Sequence, residues 1–179
     1  MRIILTCSML MPCSLLMAAA CSGGGDETAK ADQPKKAALI EAGQWETTTE
    51  VVKLVQKDKG TPKINTPAGT KTVASVCIGA DEVAKPNPML FAGTDSECTY
   101  GNFYMSGGTV NASLSCTRKG LDGKIMMTAY GDYEAQAFTT ELDTATYFPA
   151  DGDVNILAKV TGRRTGDCVP EAEGAAKKS

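Results

Sequence analysis

The chain contains no histidine, the residue that serves most often as a general base and as a metal ligand. Its absence excludes Ser-His-Asp and Cys-His catalysis. C-x-x-C and G-x-S-x-G motifs are also missing, which removes the sequence signals of a zinc site, a thioredoxin-like redox site and a hydrolase nucleophile. We therefore predict no catalytic residues, no metal and no cofactor, and we expect that the protein is not an enzyme.

Long hydrophobic runs and blocks of like charge are scarce as well. The net charge is −3 and the sequence pI is near 5.1, so nucleic acid is not a predicted partner. The apolar stretch 3–17 is interrupted by Pro12 and three hydroxyl residues, and it is shorter than the roughly 20 residues that a stable transmembrane helix needs. With Arg2 before it and alanines at 18–20 after it, the segment 1–20 has the layout of a cleaved secretory signal.

Seven cysteines are present, and two of them, Cys7 and Cys13, lie in the predicted signal. The five that remain are an odd number, which suits a secreted domain poorly. Cys21 follows three alanines, an arrangement that resembles the lipobox of lipid-anchored bacterial proteins. If Cys21 is acylated, four cysteines are left and can form two disulfides in an oxidising compartment. We therefore predict an envelope lipoprotein held to the membrane through acyl chains on Cys21.

The expected location is the periplasmic face of the outer membrane rather than of the inner membrane. Ser22 follows the anchor in place of an aspartate, which resembles the pattern of lipoproteins sent to the outer membrane. The alanines before Cys21 also satisfy the general small-x-small rule for signal cleavage. A soluble periplasmic protein is therefore the alternative.

Composition divides the mature chain into three parts. Residues 21–43 carry the lipidated cysteine and a stretch rich in glycine, alanine and charge, which is typical of a flexible tether. Residues 44–168 are predicted to form the folded domain, and residues 169–179 a disordered tail.

The predicted domain is all-β, because threonine, valine and tyrosine dominate it and no long stretch shows helical spacing of apolar residues. The first strand alternates from Trp45 until the pattern slips near Val52, which indicates a bulge. Turns are predicted at 106–108 and at Asp122-Gly123. We expect an antiparallel meander of about six to eight strands, forming a strongly curved sheet or a small barrel.

Four cysteines allow three pairings. Cys98 and Cys116 are equidistant from Gly107 at the centre of a predicted hairpin, so their Cβ atoms should lie opposite each other. We predict the disulfides Cys98–Cys116 and Cys77–Cys168, which would staple the domain.

One arginine falls on the covered side of the last strand. Arg164 shares the alternation phase of Val154, Ile156, Ala158 and Val160, so its guanidinium needs a partner. That partner is either an internal carboxylate or a backbone carbonyl, in a structural role, or the anionic group of a ligand at the mouth of a barrel. The structural role is favoured, because arginine inside a protein is usually paired.

Several segments, taken in order, resemble one protein family. They are "GQWE" at the first strand, "CIGADEVAKP" after the second, "ECTYGNFYMSGGTVNASLSC", and "TGRRTGDC" near the end. From Gly43 to Cys168 the chain resembles the domain of unknown function 3617 family. The resemblance implies a secreted or lipid-anchored bacterial envelope protein with four paired cysteines, and it implies no activity.

We expect a non-catalytic binding or envelope-maintenance module that is monomeric and whose membrane contact is the lipid anchor. A protein partner is possible for such a module. The alternative is a periplasmic carrier that holds a small apolar or amphiphilic ligand in the curved sheet, with a cavity lined by Phe103, Met105, Met127 and Phe138. An enzyme that uses carboxylates alone would instead need two acids that converge in a pocket.

Overall fold

The computed structural model describes residues 39–149 and 152–169. The predicted signal peptide, Cys21, most of the tether and most of the tail lie outside these residues. The described chain forms seven β-strands and one short helix. They are β1 Gly43–Gln56, β2 Lys71–Ile78, α1 Met89–Ala92, β3 Glu97–Ser106, β4 Thr109–Thr117, β5 Lys124–Tyr133, β6 Ala137–Tyr147 and β7 Val154–Gly166.

All seven strands belong to one antiparallel sheet in the order β2-β1-β7-β6-β5-β4-β3. Strands β3 to β7 form a meander, and β1 then pairs with β7. The sheet is strongly curved into a half-barrel whose two edges are β2 and β3. The predicted all-β class, antiparallel meander and curved sheet are confirmed.

Strand β1 shows why the sheet can curve. Its inward side chains include Trp45, Thr47 and Val51, which are buried, and the register with β7 shifts between Val51 and Lys53. An extra residue at this point bends the strand and increases its twist. The bulge predicted near Val52 is confirmed.

The first tight turn is also as predicted, whereas the second is not. Gly107 and Gly108 join β3 to β4 with φ values of 60° and 84°. Positive φ at both central residues is the requirement of a type I′ turn. Asp122-Gly123 does not form such a turn, because β4 ends at Thr117 and six residues separate it from β5. Gly123 instead lies against the backbone of Tyr147, where a Cβ atom would collide with the carbonyl oxygen.

The number of strands determines how β2 connects to β3. Each strand is antiparallel to its neighbours, so with seven strands the two edges run in the same direction. The end of β2 and the start of β3 therefore lie at opposite ends of the strands, and the connection 79–96 must run back along the strand direction between them. Its helix α1 contacts β1 and β3 and buries Leu90 and Phe91. Just before this helix, the Met89 N–H donates to Asn87 Oδ1 at 3.1 Å.

Three aromatic rings form the centre of the core at one end of the half-barrel. Phe138 on β6 lies 6.0 Å from the ring of Trp45 and 5.3 Å from that of Phe91. Residues assigned to the tether reach this core: Ile40 is buried, and Trp45 Nε1 donates to the carbonyl of Glu41 at 3.1 Å. The ordered domain thus includes residues immediately before β1.

Both predicted disulfides are confirmed. Cys98 and Cys116 are direct partners in the β3–β4 pairing, with Cα atoms 4.1 Å apart. Cys77 on β2 is bonded to Cys168, which follows β7, and their Cα atoms lie 5.4 Å apart. Each edge strand of the sheet is therefore tied covalently to another part of the domain.

Candidate functional site

The concave face of the sheet holds a cavity of about 130 Å³. Strands β1, β2, β5, β6 and β7 form its wall, and residues 64–66 and 92–95 border it. Its apolar side consists of aliphatic side chains and its polar side of threonines. The aliphatic side chains include Val51, Ile125, Met127, Leu142 and Ile156, and the threonines include Thr49, Thr72 and Thr144.

Period-two alternation places these side chains in the cavity. On β6, Leu142 and Thr144 point to the concave face together with Thr140 and Thr146. Thr146 is engaged, because its hydroxyl donates to Asp153 Oδ1 at 3.0 Å. Thr144 is only 6% exposed, and its hydroxyl has no hydrogen-bond partner among the described residues.

Arg118 borders the cavity just after β4. Its Nε and Nη2 atoms both donate to the Ser96 hydroxyl at 3.3 Å, and Nη2 lies 3.9 Å from Asp95 Oδ2. The Asp95 side chain is 64% exposed, so this ion pair is weak. Arg118 thus brings a guanidinium with unused donors to the edge of the cavity.

Arg118 was not among the predicted site residues, although the sequence contains a signal for it. Once Cys98 pairs with Cys116, continuing the same register by two residues places Ser96 opposite Arg118. An arginine two positions beyond a predicted disulfide is thereby assigned to the same face as the cysteine. This assignment depends on the register of the β3–β4 hairpin, because the alternation of apolar and polar residues along one strand does not extend to Arg118.

The predicted lining of the cavity is mostly wrong. Met127 lines it, but Phe138 lies in the aromatic core at the other end. Phe103 and Met105 are half-buried on the edge strand β3, where the Phe103 ring packs 4.8 Å from that of Tyr100. Alternation determines which face a side chain occupies, whereas the position along the half-barrel depends on the register between strands.

Arg164 lies away from this cavity, beside Trp45 in the β1–β7 pairing. Its Nε donates to the Ala42 carbonyl at 2.7 Å, and its Nη2 donates to Asp167 Oδ1 at 2.7 Å. Glu41 Oε2 is 3.9 Å from Nε. The carbonyl clamp predicted for Arg164 is thus present and holds the residues before β1 on the domain, whereas the carboxylates near Arg164 are exposed and not internal.

Tyr100 fastens the connection between the edge strands. Its hydroxyl donates to the Pro86 carbonyl at 2.8 Å, and the Lys85 ammonium lies 5.4 Å from its ring centre. Burial, with a smaller effect from the negative charge of Glu82, raises the pKa of this phenol. Tyr100 is therefore held as a neutral hydrogen-bond donor.

The acidic residues do not converge in the cavity. Glu46, Glu141 and Asp143 are exposed on the convex face, and Glu50 pairs with Lys71 at 3.2 Å. Within residues 39–149 and 152–169, no three side chains of metal-ligating type are grouped so that they could hold an ion. Among the same residues, no helix is long enough and apolar enough to cross a membrane.

A family model for proteins of unknown function, DUF3617, matches residues 40–168, which confirms the resemblance seen in the sequence. The match spans all seven strands, both disulfides and the cavity. No curated protein and no solved structure matches the chain.

Proposed function

We propose that this chain, which belongs to the DUF3617 family of proteins of unknown function, is an envelope lipoprotein with a non-catalytic binding domain. Acylated Cys21 anchors it, and the domain faces the periplasm, on the outer membrane rather than the inner. It acts as a monomer. A soluble periplasmic form is the alternative address.

The pairing of cysteines is the observation that carries this proposal. Cys77, Cys98, Cys116 and Cys168 form two bonds with each other, which leaves Cys21 as the odd cysteine of the mature chain. Disulfides of this kind persist in oxidising compartments outside the cytoplasm. A cysteine left over by this count, at the predicted cleavage site, fits a role as the point of acylation.

Intact mass of the mature protein, purified from bacterial membranes, tests the proposal. We expect a chain that begins at Cys21, carries the added mass of acyl chains and gains no alkylation until it is reduced. After reduction, four cysteines should react. A Cys21→Ala variant should lose the acyl mass and leave the membrane fraction while it keeps both disulfides.

Either of two results would overturn it. One is a purified chain that still begins at Met1, and the other is a set of five thiols that react without a reductant. A chain that begins at residue 21 with both disulfides but no acyl mass would replace the lipoprotein by the soluble periplasmic alternative.

A second candidate function is that of a carrier for a small ligand. The cavity on the concave face favours it, since a concave space lined by aliphatic side chains and several polar groups is typical of ligand sites. The rest of the concave side is filled by the aromatic core and by helix α1. The occupant must therefore be small.

A further inference from the structure

The geometry points to a binding site for a small amphiphilic carboxylate, whose apolar group enters the concave cavity while its carboxylate pairs with Arg118. This inference rests on the proposed role of the domain as a binding module, and it names the chemical class of the ligand. Size, charge and unused hydrogen-bonding groups each support it.

The size of the cavity limits the apolar group. A cavity of about 130 Å³ is close to the roughly 150 Å³ space that holds a benzene molecule in an engineered protein core. A single ring or a short branched chain fits such a volume, whereas a long acyl chain does not. Ile125, Met127 and Leu142 provide the aliphatic surface against which this group would pack.

The charge at the edge of the cavity selects an anion. The wall contains one cationic residue, Arg118, whose side chain is 29% exposed, and one acidic residue, Asp95, whose side chain is 64% exposed and therefore better solvated. Arg118 makes two long bonds to one hydroxyl and has a distant, exposed carboxylate nearby, so most of its five N–H donors have no acceptor among the described residues. A carboxylate accepts two parallel N–H bonds from a guanidinium, and this is the ligand group that matches the arrangement best.

Unused hydroxyl groups extend the polar side of the site. Thr144 is nine-tenths buried, lines the cavity and has no hydrogen-bond partner among the described residues. Thr49 and Thr72 lie in the same wall and are likewise without a side-chain partner there. The buried hydroxyl without a partner among the described residues is that of Thr140, which is not in the cavity wall, whereas the Thr144 hydroxyl reaches the cavity space. A ligand oxygen would therefore replace water as its partner.

The test compares two probes of the same shape and different charge. Benzoate and benzyl alcohol are titrated into the oxidised mature chain, residues 21–179, with Cys21→Ser so that no lipid or detergent competes for the cavity. Binding is followed by ¹H–¹⁵N correlation spectra. We expect shifts grouped at the cavity strands, and an affinity for benzoate about tenfold or more above that for benzyl alcohol, as one charge-assisted bond provides.

Variants then assign the difference to its cause. Arg118→Gln should bring the two affinities together, and Arg118→Lys should restore part of the difference, because lysine keeps the charge without the two-pronged geometry. Arg163→Gln removes the same charge from the exposed face of β7 and should change neither affinity. Ala74→Leu fills the cavity from the edge strand β2 and should weaken both probes.

The wild-type comparison is decisive even if a variant folds poorly. Equal affinities for the two probes, or benzoate shifts that do not group at the cavity, would overturn the inference. So would a preference for benzoate that survives in a folded Arg118→Gln variant. None of these results would affect the proposed membrane anchor, which the mass measurement tests separately.

Discussion

At the scale of single residues, Gly162 shows how closely the core is packed. It lies on the inward side of β7, directly opposite Phe138 of β6. A Cβ atom at this position would overlap the Phe138 ring, which also contacts Trp45 and Phe91. The Phe138 ring therefore occupies the space that a side chain at position 162 would need.

Gly162→Ala should therefore destabilise the domain by about 1–3 kcal/mol, because the added methyl group displaces a ring that is packed on two others. In an open strand the same change would be stabilising by roughly 0.5–1 kcal/mol, so the sign itself is informative. Urea unfolding of the oxidised protein measures it. Arg163→Ala, on the exposed face next to it, is the control and should stay within about 0.5 kcal/mol of wild type.

Tyr100 should make the free energy of unfolding depend on pH in the alkaline range. Because burial and Glu82 raise the pKa of its phenol in the folded state, the folded protein keeps a proton that the unfolded chain releases above pH about 10. The stabilising effect is complete below that pH and is lost as the pH rises through and beyond it. The free energy of unfolding should fall more steeply above pH about 10 in wild type than in Tyr100→Phe.

Urea unfolding at a series of pH values checks this. At neutral pH the Tyr100→Phe variant should be less stable by about 1 kcal/mol, because the bond to the Pro86 carbonyl is lost. The two curves should then converge as the pH rises. Parallel curves would contradict the argument.

At the scale of elements, the β3–β4 hairpin isolates the effect of backbone conformation. Gly107 has φ near 60°, and nothing lies within 4 Å of the space that a Cβ atom would occupy. Substitutions there change the conformational preference and not the packing. Asparagine tolerates positive φ, whereas a β-branched residue does not.

We expect Gly107→Asn to leave stability nearly unchanged and Gly107→Val to cost about 1–2 kcal/mol. Thermal or urea unfolding of the two variants provides the comparison. Equal stabilities of the asparagine and valine variants would show that the turn is not held in the left-handed region.

Elements whose signal is local could be predicted from the sequence. The bulge near Val52 and the turn at Gly107-Gly108 each follow from a break in alternation or from a residue pair. The Asp122-Gly123 turn was wrong because the same residue pair also serves where a loop passes close to Tyr147. The position of the helix Met89–Ala92 could not be predicted, because it depends on how far the connection must run back, which only the strand order determines.

At the scale of the whole molecule, the two disulfides differ in what they constrain. Cys77–Cys168 closes an interval of 91 residues, and Cys98–Cys116 one of 18. From loop-closure entropy, removing them should cost about 4.6 and about 3.2 kcal/mol respectively. The double variants Cys77→Ala/Cys168→Ala and Cys98→Ala/Cys116→Ala, compared by urea unfolding, measure the two costs.

The long bridge should be the more costly to lose, because it closes the longer interval of the unfolded chain. If the Cys98–Cys116 variant were the less stable of the two, local packing of Cys116, which is buried, would outweigh the constraint on the unfolded chain.

The candidate site was the least predictable part of the molecule. Thr144 and Leu142 could be assigned to the concave face from alternation, and Met127 was correctly placed in the cavity. Arg118 could not be found in the same way, because it lies outside any strand. To predict a site that forms between distant elements, one must know the strand order and the register. A single sequence indicates these only where a hairpin or a disulfide links the positions.

The order of the bridges along the chain has a consequence for how the protein is made. The Cys98–Cys116 bond lies wholly inside the interval spanned by Cys77–Cys168. Cys77 therefore cannot form its native bond until Cys168, the last cysteine of the chain, is present. If the chain is exported amino end first, as proposed, Cys77 and Cys98 meet the oxidant before either true partner has emerged. A bond between these two must be undone by thiol–disulfide exchange. The yield of native protein will then depend on isomerase activity in the envelope and not on oxidising power alone.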